Sequence, residues 1–199
     1  ALQAAYDTLK YDARRKIMIV SAETLSPLIN RKDPDTAFIF GDAATASLLT
    51  GERRAGNMHA RMHRPVLSAL GVDEYVLRVP FPGSGEHVQM QGGQVFRVAV
   101  RKMVDMLDLA CSAENVTVND LDMIVTHQAN ERIIEAARKM IKFPKERVFN
   151  QMRIYGNTSS NTIPLALTTV ISQQQPGDKV GLTAFGGGYT FGAAVIEVV

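Results

Sequence analysis

"DMIVTHQANERIIEAARKMI", residues 122–141, decides the fold class. An apolar run over 123–125 stops abruptly at Thr-His-Gln-Ala-Asn, and a helical pattern follows at once. A short apolar strand, a polar break and a long helix form the repeating unit of an α/β chain. Upstream, "GGQVFRVAVRKMVDMLDLACSAEN" (92–115) is a strong helix: Phe96, Val100, Met103 and Leu107 recur at helical spacing. On another face of it Arg97 and Arg101 stand one turn apart. "VTVNDLDMIVTH" (116–127) reads as a helix-cap segment and then a strand. Downstream, "RVFNQMRIYGNTSSNTIPLALTTVISQQQ" (147–175) reads as strand, turn and helix. "DKVGLTAFGGGYTFGAAVIEVV" (178–199) reads as two apolar strands around a Gly-rich turn. Strands alternating with long helices indicate an α/β fold with a mixed, buried sheet.

Toward the N-terminus the signals are similar. "KIMIVSAE" (16–23) is almost wholly apolar and is expected to be a strand buried on both faces. "TAFIFGDAATASLLTGE" (36–52) reads as a strand, a Gly-Asp break, and small residues packed closely. Residues 1–15 read as a helix with Ala1, Leu2, Ala5, Leu9 and Ala13 on one broad face. It has no Ser, Thr, Asp or Asn cap, so the chain is expected to start inside a helix. Two Pro and four Gly place a loop in 79–93, and a half-domain boundary is expected near 52–58.

Composition bounds the function. The 199 residues suffice for one domain or two small halves sharing a core. No apolar run approaches the roughly 18 residues of a membrane span. A net charge of +2 is too small to indicate nucleic acid, so a basic partner surface has to be a local patch. One Cys excludes an internal disulfide, and nine Met without disulfides suit a reducing cytoplasm.

Three loops concentrate polar or flexible groups where apolar sequence ends: His127, Asn157 and Gly186 to Gly188. In α/β folds ligands gather at such strand ends. A histidine Nε2–H and an asparagine NH₂ are neutral donors. Two of them aimed at one oxygen make an oxyanion hole fit for a thioester enolate, worth about 3–4 kcal/mol of barrier per donor. A Gly-rich turn offers backbone N–H groups for a second anion site. Taken singly, each loop reads as structure: a strand-end His, a helix cap in "GNTSSN", a tight turn in "FGGG".

"THQANERI", "YGNTSSNTIP" and "AFGGGYTFGAA", in that order, resemble the C-terminal half of a β-ketoacyl-acyl-carrier-protein synthase III, one of the thiolase-like condensing enzymes. "IFGDAATASLL" (39–49) resembles the stretch that follows the family's nucleophile region. The resemblance covers about residues 1–199 and is weakest over 52–88. It implies a thiolase-like α/β fold with layered helices around mixed sheets. Residues 1–52 would be the tail of the N-terminal half and 53–199 the C-terminal half.

The resemblance also implies a Cys-His-Asn triad, with His127 and Asn157 as its last two members. Gly187 matches an oxyanion-hole N–H, Phe185 an aromatic near the malonyl site, and Asn130 and Gly92 positions along the pantetheine arm. Arg97, Arg132 and Lys139 match carrier-protein-binding positions. By pattern, Cys111 in "LDLACSAENV" is a packed helix thiol, so the nucleophile is expected a few residues before Ala1, in a missing N-terminal part. The 199-residue chain by itself is then expected to be inactive, and insoluble or loosely folded.

Two stretches depart from the family pattern. The segment 67–93 is short and differs in wording, and Pro34 or Asp35 stands where a basic residue is expected before "TAFIF". The implied activity is decarboxylative Claisen condensation of an acyl thioester, from acyl-coenzyme A or acyl carrier protein, with malonyl-carrier protein, in fatty acid or polyketide synthesis. Two alternatives stay open: an acyltransferase of the same fold making an ester or amide, and a non-catalytic subunit of a condensing heterodimer. A cytoplasmic homodimer is implied. No cofactor beyond coenzyme A or phosphopantetheine thioesters is expected, and no metal, nucleic acid or membrane.

Overall fold

The computed structural model describes residues 1–34, 36–52, 59–71, 77–78 and 84–199. Chain order begins with α1 (Leu2–Tyr11), β1 (Lys16–Glu23) and β2 (Ala43–Thr50). Four short strands follow: β3 (Ala60–Met62), β4 (Val66–Ala69), β5 (Leu77–Arg78) and β6 (Gln89–Met90). Then come α2 (Gly92–Ala113), β7 (Met123–Thr126), α3 (Glu131–Ile141), β8 (Val148–Phe149) and the one-turn α4 (Met152–Tyr155). The chain closes with α5 (Thr162–Gln173), β9 (Lys179–Gly186) and β10 (Thr190–Val198).

The main sheet runs β3-β10-β9-β7-β8, with β4 also on β10. β7 is parallel to both β8 and β9, whereas β9 and β10 form an antiparallel hairpin. It is the mixed sheet that alternating strands and helices predict. Successive side chains of a strand face opposite ways, and here both ways are covered. Ile124 of β7 and Val195 of β10 pack with α2 and α3 through Val95, Met103, Leu107 and Ile133. Their neighbours Val125 and Ile196 pack with α5 through Ala166 and Val170. Burial on both faces explains the near-continuous apolar runs of these strands. Among the described residues no helix is long and apolar enough to cross a membrane.

β1 and β2 form a separate antiparallel pair, with Met18 opposite Leu48 and Val20 opposite Ala46. One face turns inward: Thr45 donates to Asn161 Oδ1 at 2.7 Å, and Ser160 donates to Glu23 at 2.6 Å. The other face leaves Met18 (64%), Val20 (66%) and Leu48 (57%) exposed. "KIMIVSAE" is therefore a strand, as expected, but not one buried on both faces, because among the described residues no second layer covers the outer side. "TAFIF" is not a strand. Residues 36–39 form turns, and Phe40 makes a single bridge to Asn157. The strand comes after Gly41-Asp42, in the run of small residues.

The first helix stops at Tyr11 rather than near 15; Asp12 is extended, and its carboxylate takes Arg14 N–H and Nε–H. The expected boundary at 52/53 borders residues 53–58, which lie outside the described residues, as do 79–83 of the expected loop and Asp35.

Candidate functional site

An open cleft of about 1480 Å³ gathers the ends of several elements. Its wall includes His127 after β7, Asn157 before α5, Phe185 and Gly187 at the β9–β10 hairpin, and Asn130 and Arg132 at the start of α3. Gly92, the first residue of α2, lies on its lip.

His127 is fixed from three sides. Its backbone N–H donates to Thr183 O at 2.7 Å, prolonging the β7–β9 pairing by one residue. The next side chain, Gln128, is wholly buried. It donates to Thr126 O (2.9 Å) and Phe149 O (3.3 Å) and accepts from Gln151 N (3.0 Å), stitching the end of β7 to the end of β8. The imidazole meets Phe185 edge-on, with ring centres 5.3 Å apart, and its Nδ1 lies 2.7 Å from Thr162 Oγ1. Burial makes the imidazolium costly and lowers the pKa from 6.5 to about 4. The ring is therefore neutral at physiological pH. Its Nε2 has no partner among the described residues.

Asn157 follows α4 and Gly156 rather than a strand end, as its sequence had suggested. Its backbone is clamped: its N–H donates to Ile39 O (2.7 Å) and its C=O accepts from Gly41 N (3.0 Å). Two glycines permit this approach. A Cβ on Gly41 would overlap Tyr155 O. One on Gly156, where φ is +67°, would stand 2.7 Å from Ile39 O. The Asn157 side-chain oxygen accepts from Ser159 N (2.9 Å), which assigns the amide orientation. The NH₂ has no partner among the described residues, and the residue is 9% exposed. An imidazole Nε2 and an amide NH₂, each without a partner among the described residues, thus line one cleft.

The remaining predicted residues divide. Asn130 caps α3, its Oδ1 accepting from Arg132 N at 2.8 Å, so its other amide atom is free for the cleft. Gly187 is exposed, and a Cβ there would meet nothing nearer than Leu77 O at 3.9 Å. Arg132 is exposed at the cleft edge with no ionic partner among the described residues. Arg97 and Lys139 are exposed on α2 and α3 but do not line the cleft, and Lys139 lies 3.6 Å from Glu135. Cys111 is buried in the α2 core, its thiol pushed up to about 11 by burial and by Asp108 and Asp120. Buried and held protonated, it is a poor nucleophile. Among the described residues no group of three His, Cys, Asp or Glu is placed to hold a metal.

Sequence reasoning missed Thr162, the Gln128–Gln151 network and the Gly41–Gly156 clamp. Each depends on partners on other elements; the one local signal is the Gly-Asp break in "IFGDAA", which by itself reads as a strand end.

Comparison with known proteins gives the family and the fold. Residues 1–64 match the family model "3-Oxoacyl-[acyl-carrier-protein (ACP)] synthase III", and residues 111–198 match its C-terminal counterpart. A β-ketoacyl-[acyl-carrier-protein] synthase III of Fusobacterium nucleatum is 35% identical over 210 residues, covering 98% of this chain and 63% of that protein. The crystal structure of the 3-oxoacyl-[acyl-carrier-protein] synthase III of Aquifex aeolicus superposes with a TM-score of 0.87 at 32% identity, over 99% of this chain and 62% of that one. The Thermus thermophilus synthase III gives 0.85 at 36% identity, over 99% and 63%. The chain thus spans somewhat under two thirds of the length of the relatives it matches.

Proposed function

Because the chain belongs to the 3-oxoacyl-[acyl-carrier-protein] synthase III family, we propose that its cleft carries out the malonyl-activating half of a decarboxylative Claisen condensation. The observation that carries this is that His127 Nε2 and Asn157 Nδ2, both without partners among the described residues, line the same cleft, where each can donate to one substrate oxygen.

The malonyl thioester carbonyl oxygen sits between the two donors. The bond from the α-carbon to the carboxylate breaks, CO₂ leaves, and the electron pair moves into the thioester to give an enolate. Its oxyanion is held by the same two donors, which need no proton transfer to act. The enolate carbon then attacks the carbonyl carbon of an acyl thioester. A carbon–carbon bond forms, the acyl group's thiolate departs, and a 3-oxoacyl thioester results. A neutral imidazole suits this step, since an imidazolium would pair with the malonyl carboxylate and hold it in place. Phe185 makes an apolar wall against His127, favouring loss of charge as CO₂.

Gly187 N–H serves the second oxyanion, at the acyl thioester. Cys111, buried in the α2 core, is not assigned as the acyl carrier. The malonyl pantetheine arm passes Asn130 and Gly92. Arg132, together with Arg97 and Lys139, receives the acidic carrier protein. The donor is acyl-coenzyme A or acyl carrier protein, the working form a cytoplasmic homodimer, and the product a starter for fatty acid or polyketide assembly. No metal or resident cofactor takes part.

The test is CO₂ release from malonyl-carrier protein by the protein as its cell produces it. His127→Ala and Asn157→Ala are each expected to lower the rate roughly 10²–10³-fold, with acylation of the protein, read by intact mass, left in place. Unchanged CO₂ release in both variants, or equal loss of acylation, overturns the assignment.

A further inference from the structure

Thr162 is the first residue of α5, 2% exposed, and lies 35 residues beyond His127 in the chain. A threonine hydroxyl has one proton to donate. Inside a helix it usually goes back to the carbonyl four residues earlier. Here that carbonyl, Thr158 O, is occupied by Asn161 N at 3.1 Å and Asn161 Nδ2 at 3.4 Å. The only polar partner of Thr162 Oγ1 among the described residues is His127 Nδ1, at 2.7 Å. A buried hydroxyl left without an acceptor is costly. The proton of this contact therefore lies on oxygen, and Nδ1 is the acceptor.

We propose that Thr162 is a positioning residue that fixes the His127 tautomer, its hydroxyl donating to Nδ1 so that the single ring proton stays on Nε2 and faces the cleft. The inference rests on the role assigned to His127 above. Had Nδ1 carried the proton, Nε2 would offer a lone pair to the substrate carbonyl and repel it. Two further contacts hold Thr162 in place. Its carbonyl accepts from Gln151 Nε2 at 3.3 Å, and Gln151 N in turn donates to Gln128, the neighbour of His127. The hydroxyl and the imidazole are thus tied to one buried amide network.

The decisive measurement is the ¹⁵N spectrum of the histidine-labelled protein at neutral pH, with His127 assigned by its loss in His127→Ala. The expected result is protonated Nε2 and unprotonated, hydrogen-bonded Nδ1. Thr162→Val, which keeps the shape, is expected to lose the Nδ1 hydrogen-bond signature and to lower kcat for CO₂ release roughly tenfold or more, with KM for malonyl-carrier protein little changed. Thr162→Ser is expected to restore both. A wild-type spectrum with the proton on Nδ1 overturns the proposal without any substitution, so a variant that fails to fold cannot shelter it. An unaltered spectrum and rate in Thr162→Val overturn it too. If the spectra behave as expected but His127→Ala still releases CO₂, the tautomer assignment stands and the functional reading of His127 falls.

Discussion

A neutral imidazole lodged among Phe185 and Thr162 is a liability in acid. The folded pKa of His127 is about 4, against 6.5 for an ordinary histidine, so below pH 6.5 the unfolded chain takes up a proton that the folded chain refuses. Stability is therefore full above about pH 6.5 and falls as pH drops toward 4, by at most about 3 kcal/mol from this group. Urea unfolding at pH 7 and pH 4.5 should show that loss, and His127→Gln should show a smaller one. An identical pH dependence in the variant would mean that the imidazole is freely hydrated. At this scale the sequence was informative. A histidine and an asparagine closing apolar runs are conspicuous by residue type, and both line the cleft. Thr162 was not conspicuous, because a threonine at a helix start reads as an ordinary first-turn residue and its partner lies on another element.

Among the elements, the least expected is the 39–41 segment that grips Asn157. Phe38 to Phe40 have strand propensity, yet they do not enter a ladder: Ile39 N–H turns back to Thr36 O, while Ile39 C=O and Gly41 N–H are both used on Asn157. Local propensity cannot foresee a partner 117 residues away. Gly41→Ala places a methyl group against Tyr155 O and is expected to cost at least about 1–3 kcal/mol in urea unfolding, with a larger fall in CO₂ release than in substrate affinity. A variant as stable as the parent would show that the clamp yields easily. The helices are nearer to expectation: all of α2, α3 and α5 form, and of the α2 stripe read from helical spacing Val100, Met103 and Leu107 are buried while Phe96 is half-buried. For "KIMIVSAE" an apolar run was taken to mean two covered faces, whereas Met18 and Val20 lie open.

For the whole molecule, the net charge of the 199 residues is only +2, so the carrier recognition proposed above would fall to a local group of cations. Among the described residues Arg132, at the cleft edge, has no ionic partner, whereas Lys139 already leans on Glu135. Arg132→Glu is expected to raise KM for malonyl-carrier protein severalfold, to steepen less with added salt than the parent does, and to leave malonyl-coenzyme A nearly unaffected. An equal effect on both substrates would place Arg132 in chemistry common to them.

The α/β class and mixed sheet were legible because alternating element types leave few other solutions. How the first 52 residues meet the rest was not, since it rests on single hydrogen bonds such as Thr45 to Asn161. The clamp on Asn157 also bears on the order of assembly. His127 takes its place once neighbouring strands of the main sheet zip together, but the Asn157 amide is aimed only after a chain loop of more than a hundred residues has closed. Closing such a loop is slow relative to pairing nearby segments. A refolding chain should therefore pair β7 with β9 before the 39–41 segment grips Asn157, and the donor pair proposed above would stay incomplete until that clamp forms.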